Sequence, residues 1–156
     1  MGHMEPLTRY VGKAERTLQA LLQTQLQQVG VAFPEWAALT FLRNAGPLKR
    51  SQLGEAIRNG RLVEAGGVDS LLDAMIDKGL IAQVPDGLAM TSAAKSLYDP
   101  LRSRVMEITA LVEKGVPEDD LATTRQTLAF VTERAGKLLT DLKIQESTDK
   151  HTTAIS

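Results

Sequence analysis

Apolar residues recur at three- and four-residue steps between Leu7 and Val29, and glutamines fill much of the opposite side. This spacing places the apolar side chains on one face of an α-helix, which Gly30 would end as a C-terminal cap. A helix of roughly 23 residues is over 30 Å long, more than a small domain needs internally. We therefore expect part of this stripe to meet another subunit.

Three further helical segments are predicted before the spacing of apolar residues changes from that of a helix to that of a strand. Pro34 lies in the first turn of the first of these, which stops before Pro47. The next runs from about Ser51, its expected N-cap residue, to Arg61. The last spans residues 64–78 and ends in a cation followed by a cap glycine. Its expected buried face consists of Val68, Leu71, Leu72, Met75 and Ile76.

A two-residue period follows, which predicts a β-hairpin. The strands are Leu80–Val84 and Leu88–Met90, and Pro85–Gly87 forms the turn. Three short helices followed by a hairpin are the element order of a winged helix-turn-helix domain, in which the last short helix enters the DNA major groove.

Two long helices are predicted after the hairpin. Thr91 would cap the first, which bends at Pro100 and reaches about Lys114. Acidic residues at 118–120 begin the second, whose apolar stripe reaches Leu142. On the first of them, Asp99 and Glu107 are expected to pair with Arg102 and Arg104.

The expected fold class is mostly α, a winged helix-turn-helix with long terminal dimerisation helices and a short two-stranded wing. Residues 5–142 would form one domain, with dimerisation helices over 6–29 and 92–142 and a DNA-binding-type module over 34–91. Residues 1–4 have the pattern of a cloning scar, and the polar residues 143–156 are predicted to be disordered.

Composition narrows the function classes. Hydrophobic residues make up 43% of the chain and aromatic residues only 4%, which favours a helical, aliphatic core. The absence of cysteine excludes disulfides, thiolate metal sites and cysteine nucleophiles. Beyond residues 1–4 the one histidine is His151 in the tail, so neither a metal site, a cofactor nor a catalytic triad is expected. Without a long apolar run or a signal-peptide pattern, a cytoplasmic location is expected.

A family resemblance rests on several short segments. The most specific are Pro34–Leu39 (Pro-Glu-Trp-Ala-Ala-Leu), Lys78–Ile81 and Met90–Thr91. Together with Leu42, Gly46, Ser51–Leu53, Leu71 and Met75, they resemble the MarR family of bacterial transcription regulators from about Leu7 to Leu142. The resemblance implies a homodimer with intertwined first, fifth and sixth helices. It also implies binding to double-stranded promoter DNA with inverted repeats, often relieved by a small aromatic or phenolic effector.

This resemblance assigns expected roles to three sets of residues. The dimer contacts would be Leu7, Val11, Leu18, Leu128, Val131, Leu138 and Leu142. The DNA contacts would be Lys49, Arg50, Ser51, Gln52, Arg58, Arg61, Gly66, Gly67 and Ser70. An effector pocket would involve Tyr10, Phe33, Trp36 and Phe41, although a Trp at helical spacing is more typical of a core.

Two departures from the family pattern bear on DNA binding. The hairpin tip, Val84–Gly87, has no Arg or Lys with which to reach the minor groove. The predicted recognition helix carries four acids against one base, and Asp69 lies where the family places polar or basic groups, next to an N-terminal turn of Ala65–Gly67. Carboxylates are repelled by DNA phosphates and recognise mainly cytosine.

A second hypothesis is therefore a MarR-fold dimer that no longer recognises DNA. Such a protein would bind small molecules or proteins, for example by forming mixed dimers that antagonise a true regulator. An enzyme on the same fold is a third and less favoured hypothesis. The leading interpretation remains a homodimeric, ligand-responsive transcription regulator.

Overall fold

The computed structural model describes the backbone of residues 5–64 and 66–155, and side chains as far as residue 150. The predicted scar at residues 1–4, Ala65 and the side chain of His151 lie outside the described residues. The elements in this part of the chain are α1 (Leu7–Leu26), a 3-10 turn (Gln27–Val29), α2 (Phe33–Ala45), α3 (Arg50–Asn59), α4 (Val68–Asp77), β1 (Ile81–Val84), β2 (Gly87–Met90), α5 (Ser92–Glu113) and α6 (Glu118–Ile155). The predicted mostly α, winged helix-turn-helix class is confirmed.

The chain divides into two compact units, one up to Leu111 and one from Val112. The core of the first unit includes Trp36 of α2, whose ring stacks on Tyr98 of α5 with centroids 4.7 Å apart. The Tyr98 hydroxyl donates a hydrogen bond to Thr40 Oγ1 at 3.1 Å. The expectation of a core position for Trp36 is met, since only 9% of it is exposed. The other fully buried large side chains are Leu26, Leu39, Leu53, Ile57, Leu72, Met75, Ile81 and Leu101.

The hairpin is tighter than predicted. Its register runs from Ile81 opposite Met90 to Val84 opposite Gly87, so Gly87 belongs to β2 and only two residues form the turn. Leu88 also pairs with Leu48 of the α2–α3 connection through two backbone hydrogen bonds of 2.7 and 3.0 Å. Gly87 has a φ of 132°, and a Cβ there would collide with the carbonyl oxygen of Leu48. The hairpin and this connection therefore pack as one piece.

Several predicted helix ends are corrected by the structure. α3 starts at Arg50, and the Gln52 side chain accepts the N–H of Lys49 at 3.0 Å, so Ser51 is not the N-cap residue. α4 starts at Val68 rather than residue 64, because glycines precede it and favour the turn closed by Gly67 N–H on Glu64 O. Ile76 was expected to be buried, but it is 38% exposed.

The start of α5 confirms one prediction and corrects another. Thr91 Oγ1 accepts the N–H of Ala94 at 3.1 Å, as an N-cap residue should. Asp99 pairs with Arg43 of α2, whose Nε lies 3.6 Å from Asp99 Oδ1, and not with Arg102 of its own helix as predicted.

In the second unit, α6 continues to Ile155. The predicted disordered tail from residue 143 is therefore wrong for the residues that the structure describes. The segment after Lys143 has no proline or glycine to end the helix, and Lys150 pairs with Glu146 one turn away at 3.8 Å. Among the described helices, none is both long and apolar enough to cross a membrane.

A buried carboxylate ties α2 to the end of α4. Glu35 is 3% exposed, and its Oε1 accepts the backbone N–H of Ala32 at 2.8 Å and the Lys78 ammonium at 2.7 Å. Lys78 also donates to the carbonyl oxygen of Gly30 at 3.3 Å. From the sequence, Lys78 was expected to act as a cation in the last turn of its own helix. In the structure it joins α4 to the turn between α1 and α2.

Replacing Glu35 with Ala is expected to lower the free energy of unfolding by about 1–3 kcal/mol, because a buried N–H and the Lys78 ammonium lose their acceptor. Urea unfolding measures this change. Glu55→Ala is the matched control, since Glu55 is exposed on α3 and should change stability by no more than about 0.5 kcal/mol. Equal effects of the two variants would contradict the proposed role of Glu35.

Candidate functional site

The residues predicted to contact DNA lie along α3, the α3–α4 connection and the first turn of α4. Lys49–Gln52 surround the start of α3, Arg58 lies in its last turn, and Arg61 follows in the connection. Gly66 and Gly67 precede α4, and Ser70 lies in its first turn. All are exposed except the half-buried Gly67. They therefore share the part of the first unit formed by α3 and α4.

Among the described residues predicted to contact DNA, Arg50 is the one whose side chain forms ion pairs. Its Nη2 lies 2.9 Å from Asp73 Oδ1 and 3.2 Å from Asp69 Oδ1, and its Nε donates to Asp69 Oδ1 at 3.3 Å. Both aspartates belong to α4. We call these three side chains the Arg50 cluster. The sequence predicts a DNA contact for Arg50 and repulsion of DNA by Asp69, and no local pattern links the two residues.

The Arg50 cluster is an exposed ion-pair network with one net negative charge. The hydrogen bonds that Arg50 donates to Asp73, and then to Asp69, raise the pKa of Arg50 above its ordinary value. The side chains of Arg50, Asp69 and Asp73 are 42%, 83% and 66% exposed. Solvent screens pairs of this kind, and they contribute little to stability. Their main effect is to hold the Arg50 guanidinium against α4.

The remaining charges of this surface are mixed. Within the described residues, Lys49, Arg58 and Arg61 have no ion-pair partner. Lys78 is held by Glu35 at the opposite end of α4. The hairpin tip, Pro85–Asp86, adds an acid and no base. Three bases of this surface are thus without an ion pair among the described residues.

The predicted effector residues occupy different environments. Tyr10 is 62% exposed on α1, whereas Trp36 is buried against Tyr98. Phe33 and Phe41 are half-buried and pack against the core from α2. A pocket built around these four residues stays a prediction.

An open cleft that sequence analysis missed lies elsewhere in the first unit, with a volume of about 440 Å³. Its walls come from the end of α2, the end of β2 and the start of α5. Because these segments are far apart in sequence, no local pattern could have indicated it. The lining residues are Leu42, Arg43, Gly46, Pro47, Ala89, Met90, Lys95, Tyr98 and Asp99. Among the described residues, no cluster of His, Asp or Glu is placed to hold a metal ion.

The predicted dimer contacts are mostly exposed in the single chain. On α1, Leu7 is 50% and Leu18 is 49% exposed, and Val11 is exposed as well. On α6, considered by itself, Leu128, Leu138 and Leu142 are exposed and Val131 is half-buried.

No protein-family model matches the chain, and no curated protein matches it. Solved structures do. Ligand-free NadR has a TM-score of 0.73 at 16% identity and covers 86% of this chain and 98% of its own. The reduced form of MarR from E. coli has a TM-score of 0.66 at 19% identity, covering 83% of this chain and 95% of its own. A MarR family transcriptional regulator from Silicibacter pomeroyi has 0.67 at 19% identity, covering 83% and 88%. The chain therefore has the fold of MarR-family regulators.

Replacing both Asp69 and Asp73 with Ala is expected to release the Arg50 side chain. The Nε–H signal of Arg50 should shift in a two-dimensional nitrogen–proton spectrum and exchange faster with water, because Nε loses its acceptor. The free energy of unfolding should change by no more than about 1 kcal/mol, since both pairs are exposed. Asp77→Ala is the control on the same helix and should leave the signal unchanged. An unchanged signal in the double variant would contradict the Arg50 cluster.

Proposed function

We propose that this protein is a homodimeric transcription regulator of the MarR type, which binds promoter DNA in the cytoplasm and responds to a small effector. The observation that carries the proposal is the arrangement of elements. Three short helices and a hairpin stand between long terminal helices, as in regulators that match 83–86% of the chain. A hairpin or a pair of helices alone would not support the proposal, because DNA-binding folds are distinguished by the order of all these elements.

DNA would approach α3 and α4. Lys49, Arg58 and Arg61 supply phosphate contacts, which position a protein on the duplex without specifying sequence. The glycines before α4 carry no side chain that would keep its N-terminus from the groove. A homodimer doubles these contacts, which compensates in part for the acids of α4.

A small aromatic effector is supported by one of the similar structures, the complex of NadR with 4-hydroxyphenylacetate. That structure has a TM-score of 0.66 at 16% identity, covering 85% of this chain and 96% of its own. The predicted site beside Tyr10, Phe33, Trp36 and Phe41 is the first place to seek such a ligand.

The Arg50 cluster and the acidic hairpin tip favour a second candidate function. In that case the dimer would have lost DNA recognition and would bind a protein or a small molecule instead, for example by forming mixed dimers with a related regulator. Carboxylates facing the duplex oppose binding through the phosphate field. The two candidates differ in their behaviour at low salt.

The two candidate functions can be distinguished by measuring, at a series of salt concentrations, the affinity of the protein for the DNA that flanks its gene. For a regulator, affinity should rise steeply as salt falls, with a slope of log affinity against log salt of about −0.9 per phosphate contact. The variant with Asp69→Ala and Asp73→Ala should bind more tightly and steepen the slope by about two units per dimer, because each Arg50 becomes available to a phosphate. The control with Glu55→Ala and Asp77→Ala removes the same charge elsewhere and should leave the slope unchanged.

One outcome of this titration would contradict the proposal of a transcription regulator. If neither the unaltered protein nor the released variant binds this DNA at low salt, phosphate contacts are absent and the second candidate stands. Binding by the released variant alone would identify the Arg50 cluster as the cause of lost DNA binding.

Dimer formation is tested on α6. Leu138→Asp should convert a dimer at micromolar concentration into single subunits in sedimentation velocity, because a charge would be buried in the apolar contact. Thr140→Asp introduces the same charge on the opposite side of the helix and should leave the dimer intact. A well-folded single subunit for the unaltered protein would contradict homodimer formation.

A further inference from the structure

Arg104 of α5 is a charged side chain within an apolar stripe. It follows Leu101 by three residues and precedes Ile108 by four, so these side chains share one face of the helix. Along this face the exposed fraction rises from 0% at Leu101 to 69% at Leu111, and Arg104 between them is half-buried. The Arg104 guanidinium therefore lies where the core of the single chain ends and an uncovered apolar surface begins.

The Arg104 guanidinium lacks the partners that its burial requires. Its Nε is buried and has no hydrogen-bond acceptor within the described residues. Glu107 does not form the ion pair with Arg104 that the sequence predicts, and no other carboxylate in this part of the chain forms one. A buried donor without an acceptor costs free energy, and a charge that is covered needs a counter-charge. The single chain therefore leaves this site incomplete.

A carboxylate of α1 has a matching position. Glu15 follows Val11 by four residues and precedes Leu18 by three, so it shares a helix face with these two predicted dimer contacts. Val11 and Leu18 are 36% and 49% exposed in the single chain. Glu15 is also exposed and has no ion pair within the described residues. α1 and α5 thus each carry an unpaired charge beside exposed apolar side chains, and the two charges are opposite.

We propose that Arg104 forms an ion pair with Glu15 of the partner subunit in a homodimer. The carboxylate supplies the acceptor that Arg104 lacks, and the apolar faces of α1 and α5 cover each other around the pair. Two-fold symmetry repeats the contact, so each dimer contains it twice. A related chain without a carboxylate at this position would leave Arg104 covered and uncompensated, which disfavours mixed dimers. The inference rests on the homodimer of the proposed function and is independent of DNA binding.

The test is the dimer dissociation constant of the full chain, measured by sedimentation velocity over a range of protein concentrations. Arg104→Met and Glu15→Gln should each raise this constant at least about ten-fold, because each leaves the opposite charge covered and unpaired. The variant with both changes should lose little more than either alone, since the two residues act as one pair. Arg102→Met removes an exposed cation of the same helix and should leave the constant unchanged.

Exchange of the two charges separates a lost ion pair from a misfolded chain. Arg104→Glu alone should abolish the dimer at micromolar concentration, and adding Glu15→Arg to it should restore the dimer.

The inference is overturned if Arg104→Met leaves the dimer unchanged or strengthens it, because removal of an unpaired buried donor would then be the whole effect. Equal and additive losses from Arg104→Met and Glu15→Gln, without recovery in the exchanged variant, would overturn the pairing of these two residues. A single subunit for the unaltered protein would refute the homodimer of the proposed function and this ion pair with it. A stable dimer that is insensitive to Arg104 would refute the ion pair alone.

Discussion

The placement of α4 is the constraint on which the rest of the structure depends. At its C-terminal end, Lys78 reaches the buried carboxylate of Glu35 and the carbonyl of Gly30. At its N-terminal end, Asp69 and Asp73 hold Arg50 of α3. Between the ends, Val68, Leu72 and Met75 enter the core. The helix expected to meet DNA is thus fixed at three points.

These ion pairs differ in what they do because they differ in burial. Glu35 has almost no access to water, so loss of its partners leaves a polar group without compensation. The Arg50 cluster is exposed, so its energetic contribution is small and its importance lies in charge. An exposed network of this kind can change partners, from aspartate to phosphate, at little cost in stability. The C-terminal end of α4 therefore contributes more to stability than its N-terminal end does.

The hairpin of this chain has a short tip without basic residues. Its base is tightly packed instead, with Leu88 hydrogen-bonded to Leu48 and Gly87 in close contact with the same connection. The hairpin is therefore held firmly at its base and has no basic residue at its tip with which to contact DNA.

The sequence by itself determined the order of the helices and the hairpin. The signals for these elements are local: the spacing of apolar residues, capping residues such as Thr91 and helix-ending residues such as Gly30 act over a few neighbouring residues. It also predicted that Trp36 would lie in the core. It misjudged the segment after Lys143, where polarity suggested disorder but no residue ends the helix. Only the tertiary structure decided the partners of Arg50 and Lys78 and the existence of the cleft. The contacts of Arg50 and Lys78 join residues 19 to 48 positions apart, and no local pattern encodes which distant side chains the packed core brings together.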